Sequence, residues 1–404
     1  MNSNNTNMNS NNTNMNINNA KKTFDLIDKK YDRSLGYLRS IAMLQVLLVH
    51  ILYQVDMGNI DIFPGIAKSI ILFEMPLLFF LTGANNYSSY KGGYWKYILC
   101  RMIRIYIPYL LFASINIIVL CANQGFQPIN LVWLCPINFK FAPIAPGIEL
   151  CRGVIWWFNP YICILFVIPF LKKFYDRFSN IGIKIIPLCV IFIIVIILTW
   201  YCNFNNCQEK SFIFWFFVFI GFLFFTYLGF FYQRYFKELD LQRILILSLV
   251  GFISLFILIM TIINSNSFTY DMMFNKFPPN FIYILFGNVW LWFFIIFLKW
   301  ITKAFDTLCK IKLFRFFIHG YDSKSYLIYL SHTFAFELFW FVLLDKANAF
   351  NFFSTYRVFY FLINIILLYP LSLLSAYAFY PLDLIAKKLN KKILNLKLKQ
   401  ILIN

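Results

Sequence analysis

The sequence predicts an all-α membrane protein, a polytopic helix bundle of about ten transmembrane helices with both termini in the cytoplasm. Of the 404 residues, 61% are hydrophobic and only 13% are charged, whereas soluble domains carry about 25% charged residues. The apolar segments are long and lack the alternation of strands, which favours helices over a barrel. The basic residues, in addition, are distributed unevenly between alternate loops. These three observations indicate an integral, multi-pass membrane protein.

A helix needs about 20 apolar residues to cross a bilayer, and the length of each predicted span is close to this number. The ten segments lie near residues 38–55, 66–83, 105–122, 154–171, 183–202, 212–232, 244–263, 280–298, 325–344 and 358–380. The chain therefore enters and leaves the same side of the membrane.

The net charge of +19 is explained by this topology rather than by nucleic-acid binding. With the N-terminus inside, most Lys and Arg residues fall in cytoplasmic segments, and the positive-inside rule holds at every pair of loops. The basic residues assigned to outer loops are Lys68, Lys140, Arg152, Lys210, Lys276, Lys346 and Arg357. We expect membrane lipids as partners of the basic inner surface, and no nucleic acid.

Three regions are predicted along the chain. Residues 1–33 form an Asn-rich, disordered and then basic cytoplasmic tail, residues 34–380 form one transmembrane domain, and residues 381–404 form a basic amphipathic helix on the inner leaflet. The nine cysteines show no metal-binding spacing, so no metal site is expected. Pairing of Cys202 with Cys207 is left open.

A few ionisable side chains fall inside the apolar segments, where they are costly and usually functional. His50 lies eleven residues after Arg39, about 16 Å further along a helix, just beyond the midplane. Glu74 and His332 fall at similar depth on two other spans, and Glu337 lies nearer the outer surface. We expect these groups to face one polar cavity. Hydrogen bonding between helices is the competing interpretation.

Two further patterns admit a functional and a structural interpretation. Arg101 and Arg104 are three residues apart, on one helical face, where they can hold phosphates or simply anchor the topology. Trp157 opens the fourth span from the outer side, either as part of an interfacial aromatic belt or as a stacking surface for a sugar.

Five motifs, in order along residues 34–380, resemble those of the acyltransferase-3 family of integral membrane acyltransferases. They are Leu38-Arg39-Ser40-Ile41-Ala42 followed by His50, Pro76 to Phe79-Phe80 and Gly83, Arg101 and Arg104 before Pro108, Trp157-Phe158 before Pro169, and Ser325-Tyr326 to Tyr329-Leu330 and His332. The chain departs from the family pattern at Gly36, where Asp is usual, at Thr82, where Ser is usual, and at Thr333, where Pro is common. The loss of an acid at position 36 removes an expected partner of Arg39.

The resemblance implies transfer of an acyl group, in the first place acetyl, from cytoplasmic acyl-CoA to a hydroxyl of an extracytoplasmic carbohydrate or lipid-linked sugar. Acyl-CoA is then a co-substrate, and no bound cofactor is expected. Neutral histidine can take the proton of a hydroxyl near pH 7, so His50 is the predicted catalytic base and Glu74 the group that orients it. The plasma membrane is the expected location.

The remaining roles follow from the same resemblance. Arg39, Arg101 and Arg104 are predicted to bind acyl-CoA, with stabilisation of the thioester carbonyl as a second role for Arg39. Trp157, Tyr329 and His332 are predicted to line the substrate tunnel. Two alternatives use the same residues: a proton-coupled transporter or flippase of a small anionic or lipid-linked solute, and an inactive scaffold that retains the fold.

Overall fold

The computed structural model describes residues 32–57, 69–91, 93–135, 137, 151, 155–205, 211–264, 271–339 and 357–401. Nearly all of the predicted tail 1–33 lies outside these residues. The regular structure in the described ranges is helical, apart from one bridge between Lys276 and Pro279. The α-helices are α1 Arg33–Met57, α2 Glu74–Ser89, α3 Tyr94–Gln124, α4 Phe158–Arg177, α5 Ile181–Asn205, α6 Phe212–Gly229, α7 Leu241–Asn264, α8 Met272–Lys276, α9 Phe281–Ile296, α10 Leu298–Leu308, α11 Lys312–Ser323, α12 Ser325–Phe339 and α13 Arg357–Ile401.

The prediction of an all-α polytopic bundle is confirmed, although the count of ten spans is not. Seven of the described helical segments are long and apolar enough to cross a membrane. The pair α9 and α10, bent by 64° at the break between them, makes an eighth. The other two predicted spans correspond to α2 and α12, whose described lengths are 16 and 15 residues, shorter than a full crossing requires.

Burial separates the central helices from the peripheral ones. In α1 and α6, 72% of the apolar 18-residue stretch that could cross the membrane is buried inside the protein, whereas in α5 and α7 the buried share of this stretch is 17%. A helix that is apolar all round and yet exposed is suited to contact with lipid acyl chains. Because α1 lies at the centre of the bundle, its polar side chains can face other helices or a cavity.

The backbones of α2 and α6 touch where the two helices cross. A Cβ atom on Gly83 would lie 1.8 Å from the carbonyl oxygen of Thr226, and one on Gly229 would lie 2.1 Å from that of Phe80. Small residues at such crossings let helices approach closely. The Gly83 that ends the second motif therefore fixes α2 against the central α6, and α2 supplies one wall of the site described below.

The last helix, α13, continues without a break from Arg357 to Ile401. The predicted boundary at residue 380 falls inside this helix, and Pro370 and Pro381 are accommodated within it. The predicted C-terminal tail 381–404 is thus, as far as it is described, helical and continuous with the last span, and its place on the inner leaflet stays a prediction.

Candidate active site

A cavity of about 570 Å³ opens at the end of the bundle that is predicted to face the cytoplasm, among α1, α2, α3, α4, the end of α11, the start of α12 and α13. Of the eight predicted site residues, five line it: Arg39, Arg101, Arg104, Trp157 and Tyr329. The structure therefore brings together residues that the sequence separates by up to 290 positions. The other three, His50, Glu74 and His332, lie deeper in the bundle.

Arg39 has an acidic partner despite the glycine at position 36. Its guanidinium lies 2.6 Å from the carboxylate of Asp322, which lies in the last turn of α11. Burial raises the pKa of Asp322 to about 7, while the adjacent guanidinium favours the charged carboxylate. Asp322 is 283 positions away in sequence, and sequence reasoning missed it.

The other two arginines stand at the mouth of the cavity. Arg101 donates a hydrogen bond to the hydroxyl of Ser89 at the end of α2. Arg104 lies 3.9 Å from the carboxylate of Asp383, and Lys387 binds the same carboxylate at 2.5 Å. Arg104 and Lys387 thus share the single negative charge of Asp383, so the cavity mouth retains excess positive charge.

Tyr161 lies within the electrostatic influence of all three arginines of the cavity. The charges of Arg39, Arg101 and Arg104 all act on its hydroxyl, and it lines the same cavity. Sequence reasoning did not select Tyr161, although it follows Trp157 by four residues and so shares its helical face.

The deep end of the cavity is aromatic. The ring of Trp157 contacts that of Phe158 at 4.5 Å between centroids and that of Tyr329 at 5.0 Å. Tyr326 is fixed beside them by a hydrogen bond to the carbonyl oxygen of Ile105, 2.6 Å away. Trp157 lines the cavity together with Tyr326 and Tyr329, and its role in a substrate tunnel stays a prediction.

Two histidines lie beyond Tyr329. The rings of Tyr329 and His332 are 5.7 Å apart, and those of His332 and His50 are 5.0 Å apart. His332 Nδ1 lies 2.7 Å from the carbonyl oxygen of Tyr329 and 3.1 Å from that of Ile328. Since carbonyl oxygens only accept, Nδ1 carries the hydrogen and Nε2 presents its lone pair.

The Nε2 atom of His332 is available for chemistry. His332 Nε2 is buried and has no hydrogen-bond partner among the described residues. His50 is half-buried and contacts the described part of the chain through ring packing on His332 and Phe336. In the described ranges, no third His, Cys, Asp or Glu joins them to complete a metal-binding set. Two facing imidazoles can take part in proton transfer.

Glu74 is engaged away from His50. Its Oε1 binds the ammonium of Lys276, and the two side chains are 1% and 9% exposed. Its Oε2 is buried without a hydrogen-bond partner in the described structure. The structure therefore pairs the predicted orienting group with Lys276, a residue that charge counting had assigned to an outer loop, and joins His50 to His332 instead.

The model of the acyltransferase-3 family, described as an acyltransferase domain, matches residues 32–380 of the chain. Comparison with curated proteins and with solved structures found no match. The matched region contains all eight predicted site residues.

Proposed function

The chain belongs to the acyltransferase-3 family and is an integral membrane acyltransferase; from this premise we propose that it acetylates an extracytoplasmic sugar. The donor is cytoplasmic acetyl-CoA, and the acceptor is a hydroxyl of a carbohydrate or lipid-linked sugar on the opposite side of the membrane. The plasma membrane is the proposed location.

One observation carries this proposal. A single cavity runs from the three arginines at the cytoplasmic mouth to Tyr329, whose ring contacts His332 and thereby the histidine pair. Guanidinium groups bind phosphates through paired, charge-assisted hydrogen bonds. A phosphorylated donor held at the mouth can therefore direct its acyl end towards the histidines.

His50 acts in this proposal as the general base. Its imidazole takes the proton of the acceptor hydroxyl as the oxygen attacks the thioester carbonyl carbon. The carbon–sulfur bond then breaks, and the proton passes to the departing CoA thiolate. The products are the sugar ester and free CoA, so no other reactant is needed.

His332 serves the acceptor in the same step. Its Nδ1–H is held by the two backbone carbonyls, which fixes the ring and directs the lone pair of Nε2 into the protein interior. Nε2 can accept a hydrogen bond from a neighbouring hydroxyl of the acceptor sugar and so orient the reacting hydroxyl towards His50, since a fixed ring loses little freedom on binding.

Arg39 fits the phosphate-binding group better than a thioester-binding role. It shares Tyr161 with Arg101 and Arg104 and is anchored to Asp322 at the inner end of the bundle. The partner expected at position 36 is replaced by Asp322, which argues against a degenerate, inactive member.

Labelled acetyl-CoA tests the proposal and separates it from the transporter alternative. Inside-out vesicles containing the protein are supplied with acetyl-labelled CoA, and vesicles lacking the protein are the control. We expect label in an acceptor recovered from the vesicle lipid or lumenal carbohydrate. A protein that moves a solute without transferring label contradicts the enzymatic assignment.

A further inference from the structure

The two short helices α10 and α11 follow α9 on the side of the bundle that is predicted to face the cytoplasm. We call residues 298–323 the α10–α11 unit. The axis of α10 is bent by 64° from that of α9 at the break between them. The bend turns α10 away from the direction of α9, as expected of a helix that leaves a span and continues along a membrane surface.

One face of the α10–α11 unit is used for contacts with α1. The hydroxyl of Tyr37 donates to the carboxylate of Asp306 at 2.6 Å, and Arg39 donates to that of Asp322 at the same distance. The ring of Tyr37 also packs on that of Phe305, with centroids 5.2 Å apart. Both acidic residues of the unit therefore have partners on α1.

Another face of the unit carries exposed apolar side chains at helical spacing. Trp300 and Leu308, eight residues apart on α10, are 76% and 41% exposed. Leu313 and Phe316, three residues apart on α11, are 68% and 53% exposed. Residues at such intervals lie on one side of a helix, and an exposed apolar surface of this kind marks contact with another protein or with a membrane.

Exposed cations flank these apolar side chains. The basic residues of the unit are Lys299, Lys303, Lys310, Lys312 and Arg315, and all five are exposed. None of them forms a salt bridge with an acidic residue in the part of the chain that the structure describes. Lys299 precedes Trp300 and Arg315 precedes Phe316, so charged and apolar groups lie side by side on the uncovered surface.

This combination favours a lipid surface over a protein partner. Helices that lie in the interface of a bilayer place apolar side chains among the acyl chains and basic side chains at the anionic headgroups. The chain is an integral membrane protein, so a bilayer surface lies next to the ends of its spans. The unpaired positive charge of the unit is complementary to anionic lipid.

We propose that the α10–α11 unit lies in the cytoplasmic surface of the membrane and binds anionic lipid headgroups. Trp300, Leu313 and Phe316 enter the boundary of the acyl chains, and the neighbouring basic side chains contact the lipid phosphates. This lipid site is separate from the acyl-transfer reaction, and its test needs neither donor nor acceptor.

Quenching of Trp300 fluorescence by brominated lipids tests the proposal. The protein is reconstituted in phosphatidylcholine vesicles that contain the same minor fraction of either brominated phosphatidylglycerol or brominated phosphatidylcholine, in both leaflets. The difference between the wild type and Trp300→Phe gives the contribution of Trp300. We expect the anionic lipid to quench it at least about twice as strongly, because each basic side chain near the surface favours anionic lipid.

Paired lysine variants locate the source of this preference. Lys299→Gln with Lys303→Gln removes the two lysines nearest Trp300, and quenching by the two lipids should become equal. Lys391→Gln with Lys392→Gln is the matched control, because it removes two exposed lysines of α13, and the preference should remain. Each variant is measured against its own Trp300→Phe form.

Three results overturn the inference. Absence of quenching by either lipid shows that this face does not meet the bilayer, and equal quenching in the wild type shows no selection of anionic headgroups. An equal loss of preference in the two lysine variants assigns the selection to overall charge. The comparison of the two lipids on the wild type remains decisive if a lysine variant does not fold.

Discussion

The positive charge of the Arg and Lys residues at the cavity mouth exceeds the negative charge of the acidic residues that pair with them. Arg101 is bound to a neutral hydroxyl, and Arg104 shares Asp383 with Lys387. An anion that enters the cavity therefore meets donors that are not fully satisfied. This imbalance makes Arg101 and Arg104 the residues whose loss should weaken donor binding without changing the chemical step.

Replacing Arg101 or Arg104 by Gln should raise the KM for acetyl-CoA about ten- to a hundredfold, because one hydrogen bond to a charged group contributes about 1.5–3 kcal/mol. The kcat should change little, since the lost contact is the same in ground and transition states. Initial rates of label transfer at varied acetyl-CoA concentration measure both constants.

Arg243→Gln is the matched control for these variants. Arg243 also lies near the end of a helix, on the side predicted to be cytoplasmic, and also pairs with an acid, Asp240, but it is 44% exposed and does not line the cavity. Its KM should equal that of the wild type. A fall in kcat with unchanged KM in the two cavity variants would contradict phosphate binding.

Residue types and their depth were predictable, whereas their partners were not. The eleven-residue interval from Arg39 to His50 set their separation along one helix, and the motif order selected His332. The contacts with Asp322 and Lys276 join positions 283 and 202 apart, and helical periodicity holds no information about such distant pairs. Lys276 was assigned to a loop because charge counting assumes that basic residues near span ends are solvated.

At the level of elements, the crossing of α2 and α6 positions a wall of the cavity. Thr82, Asn85 and Ser89 line the cavity from α2, and they lie one, two and six residues from Gly83 along the helix. Displacement of α2 would therefore alter both packing and the donor site.

Gly83→Ala should destabilise the folded protein by about 1–3 kcal/mol or more, because overpacking at a closed interface forces the backbones apart. The new Cβ would meet the Thr226 oxygen at 1.8 Å. Thermal unfolding of the purified protein in detergent measures the effect as a lower melting temperature.

Gly251→Ala in α7 provides the comparison for the glycine variant. A Cβ there would lie 3.4 Å from the side chain of Trp292, an ordinary contact. Its melting temperature should stay close to that of the wild type. Equal melting temperatures for the two variants would show that the α2–α6 crossing is not tightly packed.

The helices themselves were largely predictable, because long apolar runs in a chain with few charges leave little choice but membrane helices. Their ends were less so. The bend between α9 and α10 depends on packing. The continuation of α13 through Pro381 depends on the ability of a membrane helix to accommodate a proline. A hydropathy profile reports neither effect.

At the scale of the whole molecule, the mouth of the cavity and the deeper region of the bundle have different chemistry. The mouth, which is predicted to face the cytoplasm, holds the arginines, and the deeper region holds the histidine pair and the Glu74–Lys276 pair. Tyr329 connects the two regions through its contacts with Trp157 and His332. This division is what transfer from a donor on one side to an acceptor on the other requires.

The central claim is that His50 is the base of an acetyl transfer across this division. Label transfer from acetyl-CoA should be compared between the wild type and His50→Gln, at matched expression and with equal melting temperatures. General base catalysis contributes about 10²–10⁴-fold, so His50→Gln should retain at most about 1% of the wild-type kcat with little change in the KM for acetyl-CoA. A folded His50→Gln protein with wild-type kcat would contradict the account.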